Sequence, residues 1–135
     1  MEPVKVIIRY KDGRLIKGYS NDFSPNKLQF HVRPVGAGPA DRGVDVQVRD
    51  LKAVFFVKDF AGDPAYCEKK DFSAAQQAVG RKMEVTFQDG EVMVGSTVGH
   101  DPKRPGYFLT PADPQCNTLR VFVIAASVTR TRFLQ

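Results

Sequence analysis

Two stretches of this chain repeat one another 77 residues apart, and that spacing limits what the chain can fold into more than any other feature. Lys5 to Gly18 lines up without a gap on Lys82 to Gly95, so that Asp12-Gly13 falls on Asp89-Gly90 and Gly18 on Gly95. The offset continues through Pro25 and Pro102, Phe30 and Tyr107, and Pro34 and Pro111. Each copy then ends in a β-branched, apolar segment, Val44 to Lys58 in the first and Thr118 to Phe133 in the second. A self-similar chain folds as two like units or as one structure with internal symmetry, and searching for the repeat first keeps the fold from being misread.

Each copy reads as five short strands. Val4, Val6, Ile8 and Tyr10 alternate with polar residues and lead into Lys11-Asp12-Gly13-Arg14; Val85, Phe87, Asp89-Gly90, Val92 and Val94 repeat the device. An Asp-Gly pair between alternating runs signals a hairpin, because glycine tolerates the positive φ the turn requires. A third strand, Leu28 to Arg33 or Tyr107 to Thr110, follows a polar loop marked by Pro25 or Pro102, and two further strands close the copy. Residues 61–80 change character, and Ser73 to Gly80 reads as a short helix with serine at its start and glycine at its stop. Pro34 to Gly43 is a Gly/Pro/Ala-rich loop. The expected organisation is a first small β-barrel over residues 1–60, a connector with the helix over 61–80, and a second barrel over 81–135. A copy this small buries only about 60% of its unfolded surface, so the two are expected to pack on each other.

The charge balance, 20 Lys and Arg against 15 Asp and Glu, suits a polyanionic partner without requiring one. The excess is spread over both copies, with no basic tail. Cys67 and Cys116 have no His or Cys at metal-ligand spacing, and Met1 to Lys5 lacks the start of a signal peptide. The expectation is a cytoplasmic chain with reduced thiols and no membrane span.

Several segments together resemble an uncharacterised bacterial family of tandem Sm-like, or SH3-like, small barrels. They are Lys11 to Gly18, Asp22-Phe23-Ser24-Pro25-Asn26, Leu51 to Lys58, Val85 to Gly95, and Gly106 to Asp113. The resemblance covers most of the chain and implies an all-β fold of two duplicated barrels; it brings no activity with it. Asp22-Phe23-Ser24-Pro25-Asn26-Lys27 is also similar to the Asp-x-Ser-x-x-Gly turn with which PilZ domains hold cyclic dinucleotides. Lys27 stands at the glycine position, and no Arg-x-x-x-Arg arm precedes it.

Catalytic chemistry finds little support. His31 and His100 are the two histidines, and neither sits in a nucleophile or metal motif. His31 reads as a solvent-face strand residue, and His100 beside Asp101 as a loop hydrogen bond. The aspartates of the Asp-Gly turns have a structural task, and no glycine-rich phosphate cradle is present. No enzyme, cofactor or metal is expected.

What remains is a non-catalytic binding or regulatory module, monomeric or dimeric, with another protein as its expected partner. Of each aromatic pair, Phe55-Phe56 and Tyr107-Phe108, alternation places one ring outside its own core; that ring covers the other copy, a partner or solvent. A strictly monomeric protein with both rings buried between the copies would overturn this aromatic-anchor reading. The alternatives are an Sm-like RNA-binding protein and a degenerate cyclic-dinucleotide binder. Candidate binding residues are Asp22, Phe23, Ser24, Asn26 and Lys27 in the turn, His100, Lys103 and Arg104 in the corresponding loop, and Arg130 and Arg132 on the last strand. Alternation puts the last two on one face, where they could meet phosphate or an acidic protein, or serve as edge charges that block aggregation.

Overall fold

Both Asp-Gly turns form as expected. Gly13 and Gly90 adopt φ of 95° and 93°, and Asp12 and Asp89 each accept the backbone N–H two residues on, at 3.0 Å. Tyr10 and Phe87 each close their loop by donating to the carbonyl four residues ahead, at 2.9 Å. Such a loop, ending in a left-handed glycine, joins strands at a twist they can continue.

The structure, a computed structural model, describes residues 4–36, 43–60, 80–98, 103–112 and 117–134. Its strands are β1 (Val4–Tyr10), β2 (Leu15–Ser20), β3 (Gln29–Pro34), β4 (Val44–Gln47), β5 (Leu51–Val57), β6 (Arg81–Phe87), β7 (Val92–Thr97), β8 (Gly106–Pro111), β9 (Thr118–Ile124) and β10 (Val128–Phe133). Single 3-10 turns, Val48–Asp50 and Ala125–Ser127, precede β5 and β10. From β1 to β3 every strand begins 77 residues before a strand of the second half, as Val4 does before Arg81, and the two 3-10 turns stand at the same distance. The expected all-β class is observed. The helix expected at Ser73 to Gly80 lies outside the described residues, apart from Gly80 itself, as do His100, Cys67 and Cys116. No helix among the described residues is long and apolar enough to cross a membrane.

All ten strands belong to one sheet in the order β10-β6-β7-β8-β9-β5-β1-β2-β3-β4, and every pairing is antiparallel. The halves therefore join through a backbone ladder: β5 pairs with β9, setting Ala53 opposite Val123 and Phe55 opposite Val121. Gly18 and Gly95 lie where β2 and β7 cross the backbone of β3 and β8 so closely that a Cβ would meet a carbonyl oxygen.

The sheet encloses two cores. Val6, Ile8, Phe30, Val32, Val46, Leu51 and their neighbours fill the first; Met83, Val85, Phe87, Met93, Tyr107 and Leu109 fill the second. The junction strands serve both. Val54 and Phe56 of β5, with Phe122 and Ile124 of β9, point into the first core, and Ala53, Phe55, Val121 and Val123 point into the second. Successive side chains of a strand face opposite ways, so a strand between two cores must be apolar throughout, and every residue of β5 except Lys52 is. Both rings of the Phe55-Phe56 pair, 8% and 5% exposed, are thus taken up inside the chain. Tyr107 is buried in the second core, and Phe108 packs against the first. The surplus apolar side chains that suggested a protein partner have intramolecular work.

Candidate functional site

The turn between β2 and β3, whose sequence is similar to the PilZ turn, is held by hydrogen bonds among its own residues and β3. Asp22 Oδ1 accepts the His31 backbone N–H at 3.0 Å and lies 3.3 Å from the Ser20 hydroxyl, while Oδ2 sits 2.7 Å from His31 Nδ1. On the other side, His31 Nε2 lies 2.7 Å from Asp45 Oδ1, so the imidazole is held between two carboxylates. Side-chain hydrogen bonding to Asp22 raises the His31 pKa, outweighing desolvation, and the Asp22 and Asp45 charges add to it against an opposing effect from Lys27. For Asp22, burial pushes the pKa up, but the hydrogen bonds from the His31 ring and backbone bring it below the usual value. The Ser24 hydroxyl accepts the Asn26 N–H at 3.4 Å, and Lys27 N–H donates to the Ser24 carbonyl at 3.1 Å. Phe23 anchors the turn, its ring lying edge-on to Phe30, Phe56, Phe108 and Phe122 at centroid distances of 5.0, 5.4, 6.1 and 5.1 Å. Arg120 stacks over Phe56 and Phe108 at the mouth of this cluster, 4.8 and 4.2 Å from their centroids.

The strongest grouping of binding chemistry lies elsewhere, on the outward face of the first three strands. The registers Lys5↔Tyr19, Ile7↔Lys17 and Arg9↔Leu15 across β1–β2, with Tyr19↔Arg33 across β2–β3, assemble these residues on one surface. Lys5, Arg9, Lys17, Tyr19 and Arg33 are all exposed. The outward positions of β1, β2 and β3 are Lys5, Ile7, Arg9, Leu15, Lys17, Tyr19, Gln29, His31 and Arg33, and none is a carboxylate. Tyr19 stands in the row between Lys5 and Arg33, braced edge-on by Phe60 at 5.2 Å. Lys17 Nζ donates to the Phe60 carbonyl at 3.0 Å. Arg9 lies over the Phe55 ring, 5.5 Å from its centroid, and lines a groove of about 230 Å³ together with Ile7, Val57, and Met93 and Glu91 of the second half.

The corresponding surface of the second half is of mixed sign. Lys82, Glu84 and Thr86 of β6 lie beside Arg130 and Arg132 of β10, and Arg132 is paired with Glu84 at 3.0 Å. Lys103 and Arg104 are exposed in the turn before β8. Of the basic residues singled out from the sequence, Lys27 lies in the β2–β3 turn and Lys103, Arg104, Arg130 and Arg132 belong to the second half; the clustered face was missed. Its signal was available: Lys5, Ile7 and Arg9 alternate, and the Asp-Gly turn fixes which residues of β2 stand opposite them.

A third polar feature joins the halves. The Lys52 side chain, on β5 and almost fully buried, is ion-paired with Asp89 at 2.7 Å and with Glu91, and lies over Phe87 at 4.8 Å. Beneath it the Ser127 hydroxyl lies 2.8 Å from the Lys52 carbonyl. A buried ammonium held by two carboxylates on a hairpin is a clamp between β5 and the β6–β7 turn. Among the described residues, no group of three or more His, Cys, Asp or Glu is arranged to hold a metal ion.

A family model described as Family of unknown function (DUF6982) matches residues 2–135. No curated protein and no solved structure matches the chain.

Proposed function

This chain belongs to the family of unknown function DUF6982, and from that premise, which lends no activity, we propose that it is a non-catalytic binding module docking a single-stranded nucleic acid on the outward face of β1–β3. The observation that carries this reading is the cation set Lys5, Arg9, Lys17 and Arg33, with Tyr19 set among them and no carboxylate among the outward residues of the three strands. A flexible polyanion gains affinity from such a face by releasing counterions, and an exposed ring between cations gives an unpaired base a stacking surface. An isolated basic surface without the ring would serve any polyanion; Tyr19 favours unpaired bases. The protein partner favoured by the sequence loses its main support, since the aromatic pairs are used in the two cores.

The same proposal treats the halves as copies of one five-stranded unit of the Sm or SH3 type. Each half has its fifth strand beside its first, as β5 beside β1 and β10 beside β6, and a 3-10 turn between its fourth and fifth strands. Covalent duplication then gives two units, of which the first presents the basic face.

The test is a salt titration of a fluorescent single-stranded 12-mer against the full chain. Four phosphate contacts predict that log K falls with log salt at a slope of about −3. Changing Lys5, Arg9, Lys17 and Arg33 to Ala should remove that dependence and most of the affinity, whereas the Arg130→Ala/Arg132→Ala variant should bind as the parent does. Tyr19→Ala should weaken binding by about 1–3 kcal/mol if a base stacks on the ring. Binding undisturbed by the fourfold change would overturn the reading.

A further inference from the structure

The sheet ends in two strands that each have one described neighbour, β4 beside β3 and β10 beside β6. These edges correspond to the two strands that meet in its middle. At the offset of 77 residues, β10 stands for β5, Arg130 taking the place of Ala53 and Arg132 that of Phe55. β4 stands for the end of β9, with Asp45 in the place of Phe122 and Gln47 in that of Ile124. Since β1 and β6 correspond, the side of β10 without a neighbour among the described residues is the side on which β5 accepts β9.

At the middle junction, Ala53 and Phe55 cross into the core of the second half, and Phe122 and Ile124 cross into that of the first. All four are apolar. Their counterparts at the edges are two arginines, an aspartate and a glutamine. If a second copy laid its β4 on β10 in the same register, Arg130 would fall opposite Val46 and Arg132 opposite Val44, both guanidiniums directed toward that copy's first core. Burying them without a charge partner is strongly unfavourable. A strand with acidic side chains at those two places would meet them as opposite-charge cross-strand pairs while completing the backbone ladder.

We propose that the open edge of β10 takes an extended segment of another protein with acidic residues at alternate positions, opposite Arg130 and Arg132, and that the same arginines exclude a second copy of this chain. Arg130 and Arg132 are exposed and share a face. Arg132 already meets Glu84 across the ladder, and its five donors leave capacity for a further carboxylate. Thr131 and Phe133 occupy the opposite face, where the Arg81 guanidinium lies over the Phe133 ring, 3.7 Å from its centroid. A peptide, unlike a nucleic acid, carries the N–H and C=O groups that this edge can pair, and the site is separate from the cationic face of the first half.

The experiment uses the full chain and a labelled nonapeptide alternating Glu and Val, beside two controls: the same peptide with Lys for Glu, and with Pro at its centre. The alternating acidic peptide is expected to bind at tens of micromolar, at least tenfold more tightly than either control. Arg130→Ala/Arg132→Ala should lose that preference with an unchanged circular dichroism spectrum. Arg130→Ala/Arg132→Phe, which restores the residues of the middle junction, should sediment as dimers or larger species. Equal binding of the proline peptide would reduce the effect to charge and overturn strand addition, as would absence of binding at millimolar peptide; a monomeric Ala/Phe variant would overturn the exclusion of a second copy.

Discussion

His31 shows how one residue can tie three segments together. Its ring touches Asp22 in the β2–β3 turn and Asp45 on β4, and its backbone belongs to β3. The directions of the two pKa shifts set the pH range in which the contact stabilises the fold. The raised His31 pKa gives a contribution fully present below the ordinary value of 6.5 and lost as pH rises through the folded value. The lowered Asp22 pKa gives one present above the ordinary 3.8 and lost as pH falls through the folded value. The cluster therefore contributes most between about pH 4 and 6.5. Urea unfolding of the parent and of His31→Asn at pH 5.5 and 8.5 should show the gap in their midpoints narrowing at the higher pH; a gap independent of pH would mean that the imidazole acts only as a spacer. The sequence reading placed His31 on a solvent face, and it is about half exposed, but its partners were hidden. Asp45 is brought to it by the β3–β4 register, across a long Gly/Pro loop that fixes no pairing in advance.

Among the elements, the hairpins were the most legible, because an Asp-Gly turn acts through its own few atoms, and the third strands appear within a residue of where Pro25 and Pro102 suggested. The anchoring of the β2–β3 turn by Phe23 follows from rings contributed by four strands. Phe23→Ala should cost about 3 kcal/mol, near the low end for a core phenylalanine because the ring is only half-buried, as thermal or urea unfolding would report. The link between β5 and the β6–β7 hairpin makes an asymmetric prediction. Lys52→Met leaves Asp89 and Glu91 exposed enough to rehydrate and should change stability by no more than about 1 kcal/mol. Asp89→Ala/Glu91→Ala strands the buried ammonium and should cost about 3 kcal/mol. Equal losses from the two variants would assign the link to hydrophobic packing alone. Nothing in the local sequence pointed to this clamp, since 37 residues separate Lys52 from Asp89.

For the whole molecule, the central fact is that β5 and β9 belong to two cores at once. The unbroken run Leu51 to Val57, interrupted only by Lys52, carried that information: a strand facing water on one side alternates, and this one does not. The sequence reading took the run as a sign of surplus and offered a partner for it, because no local pattern states that β9 is what covers β5. Residues 1–60 and 81–135 expressed separately should therefore lack cooperative unfolding, and mixing them should restore it; a cooperative transition in either alone would show that the ladder between β5 and β9 is dispensable. The order in which a ribosome delivers these strands gives the shared ladder a cost in time. β5 is complete long before β9 is made, and at about 5–20 residues per second the interval is about 3–13 s. Through that delay Ala53, Phe55 and Val57 lack the β9 side of their final cover, Val121 and Val123, which makes the half-made chain, rather than the finished one, the form most in need of a chaperone.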